Sequence, residues 1–543
     1  MSKVSKFARS LWCEKIHPSW LITCSCGGFL AGAGLAILPE TAIFSDWIFV
    51  ILAGVIMIFV FASRLKIMVI FAIIAGMIFG LWRGTLARVD LDGYENFIGQ
   101  EVILRGKVKE DPNFGASGDL RVTLSDVEMI LKTDYEKLDG EVEDLSEYFS
   151  PMAGDIWTSV SARGVEIKRS YVIEISGKLK AGFGTFPATM SFASLENIES
   201  SPDEDPARDV RDAFGEKLHS VISLPESDLG MGILAGQKTA LPFELTAAFM
   251  ATSLTHIVVA SGYNLTILVR FTRRLFSKIS RFAALSFGGI LVFAFACVTG
   301  FSPSMTRASL VAGLSLLAWY YGRKFHAVTL ILFTAAITIA INPTQIWGDA
   351  GWYMSFLSFT GVLIFAPLVK NYFWGNEEQP RISIAENLWY KFRKKYFAKK
   401  NFVAPIPREP SFTIRQVFIE TLSAQIMAAP IIALFMGQFA PYGLLANILV
   451  LPIVPLAMLL TFIAGIGAFI LPHSIAVILA QPANWLLNYV IEIAKWISGF
   501  SGANQEITIG GVVIVVIYVL LLGAIIYMKH KTKYSFRDDN IVK

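Results

Sequence analysis

Residues 46–82 read DWIFVILAGVIMIFVFASRLKIMVIFAIIAGMIFGLW, and how they are read decides the fold. Two apolar runs flank Arg64-Leu65-Lys66. A helix needs roughly 17–25 apolar residues to cross a bilayer, so the stretch holds two crossings, near 46–63 and 66–82, joined by a basic turn. Basic turns stay on the cytoplasmic side. A third run, near 21–39, follows the basic N-terminus MSKVSKFARSLWCEKIHPSW. That start resembles a secretory signal, but two spans follow it and no small-residue cleavage site stands out, so it reads as a retained first helix. Three crossings put residue 90 outside.

Working outward, composition agrees. Of 543 residues, 54% are hydrophobic and 17% charged, against about 25% charged in a soluble protein. Net charge is +4 and says little by itself. Cys13, Cys24, Cys26 and Cys297 lie in or beside apolar segments, which argues against a disulfide framework or a zinc site. Further spans fall near 256–272, 283–301, 303–321, 325–341 and 347–372, then 412–437, 441–470, 474–498 and 508–528. Arg270, Arg273, Arg274, Lys278 and Arg281 form one inside turn, Arg323-Lys324 another, and the loop 375–411 with RKKYFAKK a third. With 441–470 counted as one helix broken at LPIVP, about twelve crossings leave both termini cytoplasmic.

Residues 88–212 are a different material. EVILRGKVKE (101–110), DLRVTLSDVEMI (119–130), DIWTSVSARG (155–164) and SYVIEISGKLK (170–180) alternate with period two and are punctuated by Gly, Asp and Pro. About five short strands in roughly 100 residues fit an OB-like barrel. The acidic run DYEKLDGEVEDLSEYF (134–149) reads as a solvated loop between strands. The sequence thus predicts a polytopic α-helical membrane protein with an inserted small all-β (OB-like) extracytoplasmic domain. Its parts are a three-span region (1–87), the barrel (88–200), a linker with amphipathic or re-entrant helices (201–255), a membrane domain (256–528) carrying the basic loop 375–411, and a cytoplasmic tail (529–543).

Four apolar segments carry polar groups that cost several kcal/mol each to bury unpaired in hydrocarbon. They are SLTHIVVASGYNLTILVR (253–270), VTGFSPSMTRASLVAG (298–313), WGDAGWYMSFLSFTGVLIFAP (347–367) and SAQIMAAPIIALFMGQFAPYGLLANILVLPIVP (423–455). Each residue has two readings. Arg307 is either internal glue to Asp349 or a lining charge, and Asp349 itself either a helix N-cap or part of that lining. His256 is either a satisfied core histidine or a donor to a path. Ser261-Gly262 either permits close helix packing or sits in the path. Pro303, Pro430, Pro452 and Pro455 mark helix breaks. No nucleophile–base constellation, nucleotide-binding loop or metal cluster stands out, so the reading is not an enzyme, needs no cofactor or metal, and has no NTPase of its own.

Taken in order, these segments resemble the ComEC competence family, the inner-membrane DNA-uptake channels of naturally transformable bacteria. His256-Ile257-Val258-Val259-Ala260-Ser261-Gly262-Tyr263-Asn264 is similar to that family's H-L-x-A-x-S-G-L-H. Thr299-Gly300-Phe301-Ser302-Pro303 with Arg307-Ala308 matches its Gly-Phe-Ser-Pro turn and Arg-Ala pair. Asp349-Ala350-Gly351-Trp352-Tyr353-Met354-Ser355-Phe356 matches D-x-G-F-Q-L-S-F. Gln425, Pro430, Asn447 and Pro452 match the last motif, and Leu234-Ala235-Gly236 with Leu241-Pro242 the approach to the first. Asn264 stands where the family has a second His, and Tyr353 where it has Gln. The family's C-terminal metallo-β-lactamase-like domain has no counterpart motif here, so a nuclease role does not carry over.

The resemblance implies a channel that passes single-stranded DNA through a bacterial cytoplasmic membrane. Its partners would be the strand, the bilayer, and separate DNA-receptor, nuclease and motor proteins. His256, Ser261, Gly262, Tyr263, Asn264, Arg307, Asp349, Trp352, Tyr353, Ser355, Gln425 and Asn447 become its lining candidates, and Arg105, Lys107, Lys109, Arg163, Lys168 and Arg169 the barrel's phosphate candidates. One feature opposes this. Residues 88–212 hold 26 acidic and 14 basic residues, whereas phosphate binding draws on basic surface. The rival readings are a transporter or flippase for another anionic solute and a membrane scaffold without transport.

Overall fold

The computed structural model describes residues 14–114, 119–138, 148–161, 167–199, 205–237, 241–258, 261–322, 326–375, 414–507 and 509–534. Helices α1 (Pro18–Leu35), α2 (Trp47–Ser63) and α3 (Met68–Leu91) occupy the three expected N-terminal spans. Small residues bring α1 and α3 to backbone contact. A Cβ at Gly32 would lie 2.1 Å from the Met77 carbonyl oxygen, and one at Gly80 2.0 Å from that of Phe29. This is small-residue packing of the kind membrane helices use, where apolar side chains gain nothing over lipid.

The chain then builds a barrel. Strands β1 (Glu101–Val108), β2 (Asn113–Phe114), β3 (Leu120–Leu131), β4 (Ser150–Met152), β5 (Ile156–Val160), β6 (Val172–Ala181) and β7 (Ala188–Glu199) form one sheet. β1 pairs antiparallel with β3, β3 with β5, β5 parallel with β7, and β7 antiparallel with β6, which returns to β1. The five long strands therefore close in the order 1-2-3-5-4-1 of an OB barrel. Val102, Leu104, Leu124, Ile156, Ile173, Ile175, Leu179 and Met190 fill it. The acidic run expected as loop begins instead as helix α4 (Lys132–Leu138), and residues 139–147 lie outside the described set. The fifth long strand, β7, carries Ser191, Ser194 and Asn197 among its apolar residues, which blur the alternation.

After the barrel come α5 (Pro206–His219), α6 (Glu226–Ala235), α7 (Phe243–Ala251), α8 (Thr255–Val258) and α9 (Gly262–Phe276). The membrane domain continues as α10 (Arg281–Val298), α11 (Pro303–Tyr320), α12 (Ala327–Ile341), α13 (Gln345–Gly348), α14 (Ala350–Thr360) and, after a π turn, α15 (Ala366–Trp374). It ends with α16 (Ile414–Met436), α17 (Gly443–Val450), α18 (Val454–Ile470), α19 (His473–Ser498) and α20 (Gly511–Thr532). Among the described residues six helices are long and apolar enough to cross a membrane, and up to eight if each bent pair is one span. The chain is a multi-pass membrane protein. α17 and α18 bend by 51° around Pro452, the break expected in 441–470, and Pro430 lies inside α16.

The expected crossing at 256–272 is not one helix. Ser261 is extended (φ −118°, ψ 161°) between α8 and α9, and α9 is amphipathic, with Arg270, Arg273 and Arg274 along it. Polar groups and arginines at this spacing leave too narrow an apolar face for a lipid-facing span. Within 201–255, expected as a linker with amphipathic or re-entrant helices, α6 and α7 are both short.

Candidate functional site where barrel meets bundle

Three buried arginines fasten the barrel to the bundle. Arg169, 3% exposed, donates Nε and Nη2 to the Asp205 carboxylate (2.7 and 3.1 Å) and Nη1 to the Val298 carbonyl (3.1 Å) at the end of α10. Its guanidinium lies against Gly300, where a Cβ would come within 2.3 Å of Nη1. Gly300 also has φ +67°, so both space and backbone demand glycine in the turn before Ser302-Pro303. Arg208 donates to the Arg169 carbonyl (2.6 Å) and covers the Tyr171 ring at 5.2 Å. Arg211 holds Asp111 and Asp212. Burial alone would raise the Asp205 carboxyl. The Arg169 side chain and the Arg208 amide outweigh it and hold that carboxyl below its ordinary value.

The barrel's basic residues are thus largely spent within the chain. Arg105 pairs with Glu199 (3.0 Å) and Glu174 (3.7 Å), Lys109 with Asp155 (2.6 Å) and Lys168 with Asp212 (3.5 Å). Lys107 also has a partner. Arg163 and the loop 376–413 lie outside the described residues. Of the six phosphate candidates, Arg105, Lys109, Lys168 and Arg169 thus face carboxylates of the chain itself.

A second contact sets the barrel's β6–β7 loop on the bundle. A Cβ at Gly348 would meet the Gly184 Cα at 2.8 Å, so the two backbones touch with no side chain between. Next to Gly348 stands Asp349, the N-cap of α14, whose Oδ1 accepts from the Trp352 amide (3.1 Å). Arg307 reaches this turn from α11. Its Nη2 donates to the Gly351 carbonyl (3.1 Å), and Nη1 lies 4.0 Å from Asp349 Oδ2. The side chain is almost completely buried, yet Nε and Nη1 have no hydrogen-bond partner among the described residues. An ionised group in that state is expensive, and an ionisable residue inside a membrane domain points to function.

The four polar segments do meet, in part. Gly262 packs against Ala308, where a Cβ would come within 3.2 Å, joining the first segment to the second. His256 is exposed and donates Nδ1 to the Ser253 carbonyl (2.9 Å). Ser253 and Gln425 both lie against Gly443, which draws in the fourth segment. Tyr263 Oη donates to the Leu451 carbonyl at the α17–α18 break (3.4 Å). Ser261 and Ser355 are half-buried.

Other candidates are tied into packing. Asn264, 1% exposed, donates Nδ2 to the Ile233 carbonyl (3.0 Å), a group in the last turn of α6 that helix geometry leaves without an amide. Trp352 donates Nε1 to Thr338 (3.0 Å) and is buried, and Tyr353 donates to the Ile346 carbonyl (2.5 Å). Asn447 donates to the Gly443 carbonyl of its own helix (2.9 Å), leaving Oδ1 buried without a partner among the described residues. Pro303 opens α11 and Pro455 sits in the first turn of α18, where the missing amide costs nothing. The sequence reading passed over Glu420, a carboxylate within α16 that accepts from Gln416 (2.8 Å) and lies in electrostatic range of Tyr263. Its signal was there: an ionisable residue inside an apolar span.

Compared with known proteins, residues 233–532, more than half of the chain, match the family model described as Competence protein. An uncharacterized protein of Aquifex aeolicus (strain VF5) is 24% identical over 186 residues, which are 34% of this chain and 43% of that protein. The chain thus covers less than half the length of that relative. No solved structure matches.

Proposed function

The chain belongs to the competence protein family, and from that premise we propose that it is the membrane conduit through which single-stranded DNA reaches the cytoplasm. The observation that carries this reading is Arg307. It is a buried guanidinium with two unpartnered donors, held in the bundle beside the turn on which the barrel rests. Nε and Nη1 lie on different edges of the guanidinium, and each can donate a charge-assisted N–H to a phosphate oxygen. The barrel receives the strand, and the path continues past Arg307 and Asp349 toward Gly262, His256 and Tyr263.

The proposed topology has both termini cytoplasmic and the barrel outside the cytoplasmic membrane. Contacts within the molecule support it, since they join segments that the positive-inside rule assigns to one side. On the outer side, Gln438-Phe439 pairs with Gln505-Glu506, and Arg169 of the barrel reaches Val298. On the inner side, Glu14 pairs with Lys66, and Lys531 lies 4.8 Å over the Tyr372 ring. DNA receptor, nuclease and motor would then be separate chains. The test follows labelled DNA into a deletion strain that carries either the wild-type chain or an empty vector. Internalised single-stranded label only with the wild-type chain supports the reading, and equal label in both strains ends it.

A further inference from the structure

The barrel carries an aromatic group that the sequence reading did not single out. The rings of Trp157 and Phe183 lie 5.7 Å apart, and those of Phe183 and Phe186 5.6 Å apart, each pair edge-to-face at 67°. Phe183 is 56% exposed. Trp157 stands on β5, and both phenylalanines stand in the β6–β7 loop. In an OB barrel the face of the second and third strands and the loop between the fourth and fifth take oligonucleotides, and β5 and the β6–β7 loop hold those places here. Cross-strand register sets Trp157 and Lys180 on either side of Thr189, which is itself buried, on the face opposite Leu179 and Met190, which fill the core. Lys178 and Lys180 are exposed and, unlike Arg105, Lys109 and Lys168, have no carboxylate partner among the described residues. Gly184, one residue after Phe183, rests on Gly348, which adjoins Asp349 and the Arg307 contact.

We propose that Trp157, Phe183 and Phe186 form a base-stacking step, flanked by Lys178 and Lys180, that hands a single nucleic-acid strand from the barrel to the rim of the bundle at Gly348-Asp349. This rests on the reading of the chain as a single-strand conduit and gives that reading its outer binding site. It also answers the acidic balance of the barrel. Stacking uses the faces of the bases and needs little net positive charge, and every base has such a face. Two free lysines then suffice for the phosphates beside the step.

The test uses the full chain in lipid nanodiscs and a fluorescent oligo-dT, with an abasic deoxyribose-phosphate strand of the same length as the second probe. The wild-type chain is expected to prefer oligo-dT over the abasic strand by about tenfold or more, the size of a single stacked base. Phe183→Ala, at an exposed position, is expected to remove most of that preference while leaving the salt dependence of binding unchanged, because no phosphate contact is lost. Trp157→Phe, which keeps a ring, is expected to retain the preference. If the wild-type chain binds oligo-dT with a clear base preference and Phe183→Ala keeps it in full, the step is refuted while the conduit reading stands. If the wild-type chain binds neither strand, the conduit reading fails and the step with it.

Discussion

Replacing Arg307 by methionine separates a structural arginine from a functional one. The guanidinium has one favourable hydrogen bond, to Gly351, and a carboxylate at 4.0 Å. Two unit charges at that distance attract by about 4 kcal/mol at an effective dielectric constant near 20, and a charge-assisted hydrogen bond adds about 1.5–3 kcal/mol. Against this stand two buried nitrogens without a partner among the described residues, Nε and Nη1, at about 1–3 kcal/mol each, and the cost of desolvating the charge, several kcal/mol more. The balance is near zero or unfavourable. Methionine is of similar length and burdens the bundle with no charge. Asp349 is not orphaned by the change, because it still caps α14 through the Trp352 amide and is partly exposed. Arg307→Met is therefore expected to keep the thermal unfolding midpoint of the purified protein, or raise it, and to reach the membrane in normal amount. Uptake of labelled single-stranded DNA is expected to fall at least tenfold. The measurements are an unfolding scan in detergent, membrane abundance by immunoblot, and uptake in the same cells. A loss of stability of about 3–5 kcal/mol, as when a well-paired buried ion pair is broken, accompanied by matching losses of abundance and uptake, would show that Arg307 is glue. Unchanged uptake with unchanged stability would refute any role in transport.

Asn264→Leu is expected to act on stability and not on the path, costing about 1–3 kcal/mol by leaving the Ile233 carbonyl unmet; normal stability with blocked uptake would return Asn264 to the lining. Arg169→Leu leaves Asp205 buried without its main partner, and a cost of about 3–5 kcal/mol is expected, read as faster proteolysis between barrel and bundle. The same junction has an acid limit. Asp205 is held below its ordinary value of 3.8, so its contribution is complete above that value and is lost as pH falls through the still lower folded pKa. Wild-type protease resistance at the junction should be flat from about pH 5 to 8, and a decline within that range would mean that another group controls it.

The sequence alone determined everything that depends on neighbours along the chain. Apolar length marks a multi-pass membrane protein, but of about twelve expected crossings six helices, or up to eight with each bent pair as one span, are long and apolar enough among the described residues, and 256–272 is not one helix. Period-two alternation reveals four of the five long barrel strands, and LPIVP reveals the bend before α18, because proline acts locally. Tertiary structure alone decided which polar groups are spent and which are left over. Asn264, Trp352 and Tyr353 looked like lining, but the carbonyls and hydroxyl that absorb them lie on other elements. Arg105, Lys109 and Lys168 stand within ion-pair distance of Glu199, Asp155 and Asp212, partners that lie far from them in sequence. Gly300 has one reason in its own backbone, at φ +67°, and a second in Arg169, 131 residues earlier in the chain. Trp157 meets Phe183, and Gly184 meets Gly348, through contacts that no periodicity records. A side chain's hydrogen-bonding capacity belongs to its residue type, but its satisfaction is settled by whatever the fold brings within about 3 Å, and that distance is measured in space.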